Sequence, residues 1–271
     1  MIRQAIIPLA GQGTRLLPLT SVFPKELLPI NGRPGIEYIL DECFEAGIKE
    51  IIFIISKKKE MIKKYFYSDK FFKDVIRKKK DKRIRSEYKK ILKYKKKIKF
   101  VYQNIPNGTG DAVLKTRNLI KDKFFLMLLP DDLIIKKNCS KDMILIHKKY
   151  KCSVMASMKV NKNNVKRWGI YSVKSKINKN NFYINNVIEK PEIKDAPSNN
   201  AVIGRYILSK KIFSKLMNQK KGKGGEIHIT DSIKKMIMNG SKYVGHKFSG
   251  KYLDCGSMNG YVNSSLEISK I

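Results

Sequence analysis

Acidic side chains are scarce in this chain of 271 residues. Its 23 Asp+Glu stand against 58 Lys+Arg, a formal net charge of +35. Such an imbalance invites a polyanion, because a basic surface gains free energy by releasing the counterions of a nucleic acid. Arginine, however, is scarce too. Nine Arg (3, 15, 33, 77, 83, 85, 117, 167 and 205) leave 49 Lys. Base readout and bidentate phosphate recognition favour Arg. Ile, Asn, Tyr and Phe, which share AT-rich codons with Lys, are also abundant. The excess is therefore read as compositional bias, and specific nucleic-acid binding is not expected, although any polyanion would be attracted at low salt.

Other absences narrow the class further. Four cysteines (43, 139, 152 and 255) form no C-x-x-C pair, which argues against a disulfide framework or structural metal site and suits a reducing cytoplasm. His147, His228 and His246 have no metal-ligand spacing, and no Ser/His/Asp or Cys/His arrangement points to a covalent nucleophile. No run approaches the ~20 apolar residues of a membrane span, so no membrane partner is expected. The first residues lead into a short apolar run broken by Pro8 and Gly11, unlike a secretory signal. Linkers rich in Pro and Ser are missing, as are internal repeats.

What is present is a 42% hydrophobic content, enough for a substantial core, arranged in alternating strands and helices. Apolar runs at 5–10 and 51–55 flank a helix pattern over 34–46, and strand, helix, strand argues for a parallel sheet with crossover helices. A basic segment, 57–99, keeps helical spacing at Ile62, Tyr65, Phe66, Phe71, Phe72, Val75 and Ile76, so surface helices are expected there. Further strands are expected at 98–102, 124–129, 152–160, 168–173, 182–189, 201–207, 243–248 and near Tyr252. Helices are expected at 110–120, 209–217, 229–239 and after Gly256. The fold class is α/β: a Rossmann-like, mixed, mostly parallel sheet flanked by helices with an added β region. A single domain is expected, with 1–135 mainly for a nucleotide and 136–271 mainly for a second substrate.

The loop after the first strand, Leu9-Ala10-Gly11-Gln12-Gly13-Thr14-Arg15, can bring backbone N–H groups to a phosphate. It matches neither the dinucleotide fingerprint, since Leu16 stands at the third glycine, nor the P-loop. Arg15 and Lys25 nearby could clamp a triphosphate; a tight turn with two solvated cations is the plainer alternative. Asp131 and Asp132 follow an apolar strand, where α/β sheets collect ligands, and Asp254 follows another. Carboxylates so placed can hold Mg²⁺, while a lone Asp is more often a cap or turn former. Glu189-Lys190-Pro191 offers an acceptor for hydroxyls and a cation for a phosphate, or a surface ion pair. Gly169 and Gly204 lie beside strands where a backbone could meet a ligand, or where a bulge is needed. The stretch from Gly222 to Asp231 reads as a flexible loop whose Thr230-Asp231 pair caps the next helix in part.

Taken in order, these segments resemble a known family. They are Ala10-Gly11-Gln12-Gly13-Thr14-Arg15, Pro24-Lys25-Glu26-Leu27-Leu28-Pro29, Gln103 with Gly108-Thr109-Gly110-Asp111-Ala112, Leu129-Pro130-Asp131-Asp132, Trp168-Gly169, Ile188-Glu189-Lys190-Pro191, Gly225-Glu226-Ile227 with Thr230-Asp231, and Leu253-Asp254-Cys255-Gly256. The set is similar to the bacterial UTP–glucose-1-phosphate uridylyltransferases, of the sugar nucleotidyltransferase family, over nearly the whole chain. Three positions depart from the usual pattern: Gln12 for Leu, Gly35 for a bulkier residue, and His228 for Gln.

The resemblance implies Mg²⁺ dependence, a homo-oligomer, and UTP and glucose 1-phosphate as substrates. It implies that Ala10, Gly11, Gly13, Thr14 and Asp132 lie against the nucleotide, that Gln103 and Gly108 read uracil, and that Arg15 and Lys25 meet phosphates. Asp131 would hold the metal with Asp254 as a second ligand. Gly169, Glu189 and Gly204 would hold glucose, and Lys190 its phosphate. A dTTP-using thymidylyltransferase, a nucleic-acid-binding protein working through 57–99, and a non-catalytic nucleotide binder are the alternatives.

Overall fold

The computed structural model describes residues 1–79 and 81–271. Its framework is a nine-stranded sheet. In chain order the first half supplies β1 (Gln4–Pro8), the short hairpin β2 (Pro29–Ile30) and β3 (Arg33–Pro34), α1 (Gly35–Glu45) and β4 (Glu50–Ile55). It continues with α2 (Glu60–Tyr67), α3 (Lys70–Lys79), α4 (Lys82–Lys95), β5 (Ile98–Tyr102), α5 (Thr109–Leu114), β6 (Phe124–Leu128) and β7 (Asp132–Ile135). The second half has α6 (Cys139–Tyr150), β8 (Ser153–Lys159), β9 (Gly169–Lys176), β10 (Asn181–Glu189) and β11 (Asn200–Ser209). After these come α7 (Ile212–Met217), α8 (Ile229–Met238), β12 (Tyr243–Lys247), β13 (Lys251–Asp254) and α9 (Met258–Ser269).

The sheet order is β5-β4-β1-β6-β11-β8-β12-β10-β9. β5, β4, β1 and β6 run parallel, and the inner strands β4, β1 and β6 are apolar on both faces, as they should be when helices cover each side. β11 is antiparallel to both β6 and β8, and joins the two halves of the chain into one sheet. One apolar cluster fills each face: Ile36, Ile39 and Leu40 of α1 pack on one side, Ala112, Leu216 and Ile233 on the other. No helix among the described residues is long and apolar enough to cross a membrane. All four cysteines are buried free thiols, and burial pushes Cys152 up to about 11 and Cys255 up to about 12.

Several expectations change. The helix expected over 110–120 stops at Leu114, where turns take over. Asp132 lies past the end of β6 as expected, but it also opens a strand the pattern did not show, β7, which pairs with β13 in a small separate sheet. The pattern gave no helix at Cys139–Tyr150, yet α6 forms there, capped by the Asn138 side chain accepting from the Lys141 N–H. Its polar majority hides a buried stripe at Cys139, Met143 and Ile144. The basic segment does form helices, with Ile62, Phe66, Ile91 and Tyr94 buried, but Phe71 stays 79% exposed and Lys59 is almost wholly buried. Lys80 of that segment lies outside the described residues.

Candidate active site

The carboxyl ends of β1 and β6 open onto a cavity of about 430 Å³. One wall is the loop from Ala10 to Thr14, the other is formed by Gln103, Gly108 and Thr109, with Lys25 and Asp131 between them. Gly13 turns the loop at φ 69°, and its carbonyl accepts from Thr20 Oγ1 at 2.8 Å. Gly11 has nothing within 4 Å of where a Cβ would stand, so its backbone faces open space. Gly108 is the tighter position: at φ 97° its Cβ would lie 2.7 Å from the Ile227 carbonyl oxygen. Only glycine accommodates both that dihedral and that approach. Gln103 is buried, and its Nε2 donates to the Gly108 carbonyl (3.1 Å) and to Asp111 (2.7 Å), which sets the orientation of the wall.

The charge centre is Asp131. Lys25 Nζ donates to its Oδ2 at 2.6 Å and Arg15 reaches the same oxygen at 3.4 Å. Burial works against a charged Lys25, but the Asp131 and Glu26 carboxylates outweigh it and hold its pKa above the ordinary value. Burial likewise opposes ionisation of Asp131, and Lys25 and Arg15 reverse the effect and lower its pKa. Behind Lys25, Lys59 Nζ donates to both oxygens of buried Glu26 at 2.8 and 2.9 Å. There burial wins over the Glu26 charge, and the Lys59 pKa is lowered. The site therefore rests on an alternating row of charges, Asp131, Lys25, Glu26 and Lys59.

Asp132 has a different setting. Burial and the adjacent charge of Asp131 push its pKa up to about 6. Tyr252 donates its hydroxyl to one oxygen at 2.5 Å and the Gly204 N–H donates to the other at 3.0 Å. Gly204 sits where the β11–β8 register shifts, and a Cβ there would run into Asp132 and Leu129. Its N–H is thus spent on Asp132, and its carbonyl accepts from the Leu129 N–H and from Arg205.

A second cavity of about 200 Å³ adjoins the first across Asp131. Gly169, Glu189, Lys190, Thr230 and Asp254 line it. Thr230 Oγ1 donates to Glu189 at 2.7 Å, so Thr230 orients the acid and does not cap its helix; the cap position belongs to His228, whose side chain makes no capping bond. The His228 ring instead meets the Lys223 carbonyl at 2.7 Å. A Cβ at Gly169 would stand 3.0 Å from Thr230 Cγ2. Lys190 takes φ 43° and its Nζ lies 3.9 Å from Glu189. Asp254 pairs with Arg167 and accepts the Gly256 N–H at 2.9 Å. The Cys255 N–H donates to the Asp131 carbonyl at 2.7 Å, and a Cβ on Gly256 would come 2.8 Å from Asp131 Oδ2. Asp131 and Asp254, 123 positions apart in sequence, are brought to one rim.

Sequence reasoning missed the supports of this site. Arg205 is fully buried and grips Glu42 through Nε and Nη2 (2.8–3.0 Å), while its Nη1 donates to the carbonyls of Leu129 (3.2 Å) and Gly204 (3.0 Å). Burial opposes its charge, and Glu42 more than offsets this, raising its pKa. A lone Arg beside a glycine carries no sequence signal for such a role, and Lys59 is hidden in a run of lysines. Among the described residues no cluster of three or more His, Cys, Asp or Glu could by itself enclose a metal ion.

Comparison with known proteins finds relatives over nearly the whole chain. The family model described as Nucleotidyl transferase matches residues 4–271. A UTP–glucose-1-phosphate uridylyltransferase of Pseudomonas aeruginosa is 34% identical, over 98% of this chain and 95% of that one. A crystal structure of UDP-glucose pyrophosphorylase complexed with UDP-glucose superposes with a TM-score of 0.87 at 34% identity, over 100% of this chain and 99% of that one. UTP-bound UGPase from Acinetobacter baumannii gives 0.87 at 32%, over 99% and 93%.

Proposed function

The chain belongs to the nucleotidyl transferase family, and on that footing we propose that it transfers the uridylyl group of UTP to α-D-glucose 1-phosphate, giving UDP-glucose and diphosphate. The observation that carries the reading is the pair of cavities meeting at Asp131, with Lys25 lining the larger and Arg15 and Lys190 lining the smaller. A nucleotide in the larger cavity and a sugar phosphate in the smaller would bring their phosphates together there. Residues 1–135 would mainly serve the nucleotide and 136–271 mainly the sugar.

In this reading the backbone at Ala10, Gly11, Gly13 and Thr14 cradles the nucleotide, with Asp132 beneath it. Gln103 and Gly108 recognise uracil. Glu189 and the backbone at Gly169 hold glucose. Gly204 acts through Asp132, because its N–H is already engaged there. An oxygen of the sugar phosphate attacks the α-phosphorus of UTP. The new O–P bond forms as the bond to the leaving diphosphate breaks, and the electron pair departs with it. The nucleophile is already an anion, so no general base is needed. Alignment and charge neutralisation are what Arg15, Lys25 and Lys190 contribute.

The donor set also fits Mg²⁺: two carboxylates, Asp131 and Asp254, stand at the rim where substrate phosphates and waters would complete an oxygen shell. Held there, the ion would supply further charge neutralisation on the phosphates. A cytoplasmic homo-oligomer is the form we propose for the protein.

Diphosphate release with glucose 1-phosphate and Mg²⁺, compared across UTP, dTTP, CTP and ATP, tests the reading. Release strongest with UTP and dependent on sugar phosphate is expected. Lys25→Ala or Asp131→Ala should cut turnover by roughly 10²-fold or more, the scale of losing one charge-stabilising contact. Preference for dTTP would move the assignment to the thymidylyl reaction, and full activity in either variant would remove it.

A further inference from the structure

The opposite end of the sheet carries a further cavity, lined by lysines. β6, β8 and β12 enter the sheet at that end and β11 leaves it, because β11 runs antiparallel to β6 and β8 while β12 is parallel to β8. The segments just outside these ends enclose about 820 Å³. Six lysines line the space: Lys121, Lys123, Lys151, Lys210, Lys211 and Lys242. Neither Asp nor Glu is among the lining residues. Even in a chain this basic, six lysines without one acid around a single concavity is a marked concentration.

The neighbouring acid is removed by structure. Asp122 lies between Lys121 and Lys123, but it is buried and accepts from the Arg3 backbone N–H (2.8 Å) and guanidinium (2.7 Å). The two flanking lysines are exposed and free to face the cavity. The frame is fixed by main-chain geometry: the Lys210 N–H donates to the Lys123 carbonyl at 2.9 Å, and Lys151 occupies a left-handed turn at φ 51° that ends α6. Hydroxyls of Ser209 and Ser241 add donors and acceptors to the walls. A concave surface of one sign focuses the field and raises the local concentration of counter-ions.

We propose that this cavity binds a compact polyphosphate anion, such as inorganic triphosphate or the triphosphate chain of a nucleotide. It is separate from the site at Asp131: β6 alone places roughly 13 Å between its two ends, at ~3.3 Å per residue. The proposal does not depend on which base or sugar the Asp131 site takes.

The test is calorimetric titration with inorganic triphosphate at about 0.15 M salt, where unspecific attraction is screened. The Lys25→Ala protein should retain one saturable equivalent. Lys123→Glu, Lys210→Glu and Lys242→Glu together should weaken that equivalent by roughly tenfold or more, a change of ~1.4 kcal/mol. The matched control, Lys89→Glu, Lys93→Glu and Lys96→Glu on exposed positions in and just after α4, removes the same charge elsewhere and should leave it within about twofold. Parallel titrations with UTP and with UDP ask whether a nucleoside is tolerated on the chain of phosphates. Equal loss in both triple variants, no loss in the first, or disappearance of binding in Lys25→Ala would each overturn the proposal.

Discussion

Replacing Arg205 by Leu isolates the buried pair that carries the floor of the site. The guanidinium has no exposure and is used on three sides, by Glu42, by the Leu129 carbonyl and by the Gly204 carbonyl. Removing it leaves the Glu42 carboxylate inside the protein with only Ser140 donating to it. An uncompensated buried charge of this kind costs about 3–5 kcal/mol. The Leu129 carbonyl also loses a donor, worth about 1 kcal/mol. A total of about 4–6 kcal/mol would be a large share of the ~5–15 kcal/mol that holds a typical domain folded. Urea unfolding measures it directly. Glu42→Leu in the same chain removes the stranded charge, so the double variant should recover to within about 2 kcal/mol of the parent. Turnover should not recover with it, because Leu129 precedes Pro130 and Asp131 and its carbonyl is no longer held. A single variant that loses less than about 1 kcal/mol, or a double variant no more stable than the single, would refute this account of the pair.

Two further outcomes follow from the same geometry. Asp132 is raised from 3.8 to about 6 by burial and by Asp131, so the folded chain keeps a proton that the unfolded chain has already given up. Its contribution to stability is therefore complete below about pH 4 and lost as the pH rises through about 6, and Asp132→Asn should flatten that fall in a pH series of unfolding midpoints. An unchanged slope would show that Asp132 does not titrate in that window. Gly108→Ala must place a Cβ 2.7 Å from the Ile227 carbonyl at a dihedral that L residues avoid. It should raise KM for UTP at least tenfold while KM for glucose 1-phosphate changes little, and equal effects on both substrates would argue against a nucleotide wall at this position.

The glycine loop, Lys25 and Asp131 were legible in the sequence because local pattern and local chemistry coincide there: an apolar strand, a turn that needs glycine, then a charge. The strands of the sheet were legible for the same reason, since burial on both faces writes itself as unbroken apolar runs such as 51–55. What could not be read depends on distant partners. Arg205 and Glu42 are 163 positions apart, and nothing near either marks it as buried. Lys59 looks like any member of its run until Glu26 is placed against it. α6 hides because only a narrow stripe of it is apolar, and β7 because its register comes entirely from β13. The glycines at 169 and 204 were expected either to meet a ligand or to mark a bulge; at Gly204 the register does shift, and the group that approaches it is the protein's own Asp132 carboxylate.

The pairing of β13 with β7 bears on how the protein is made. Residues up to Asp131 contain the glycine loop, Arg15 and Lys25 and the strands that carry them. A nascent chain that has emerged only that far can collapse its parallel strands, yet its central carboxylate still lacks the Cys255 N–H, the close wall of Gly256 and the partner Asp254. The candidate reaction centre is therefore closed by one of the latest segments to be synthesised.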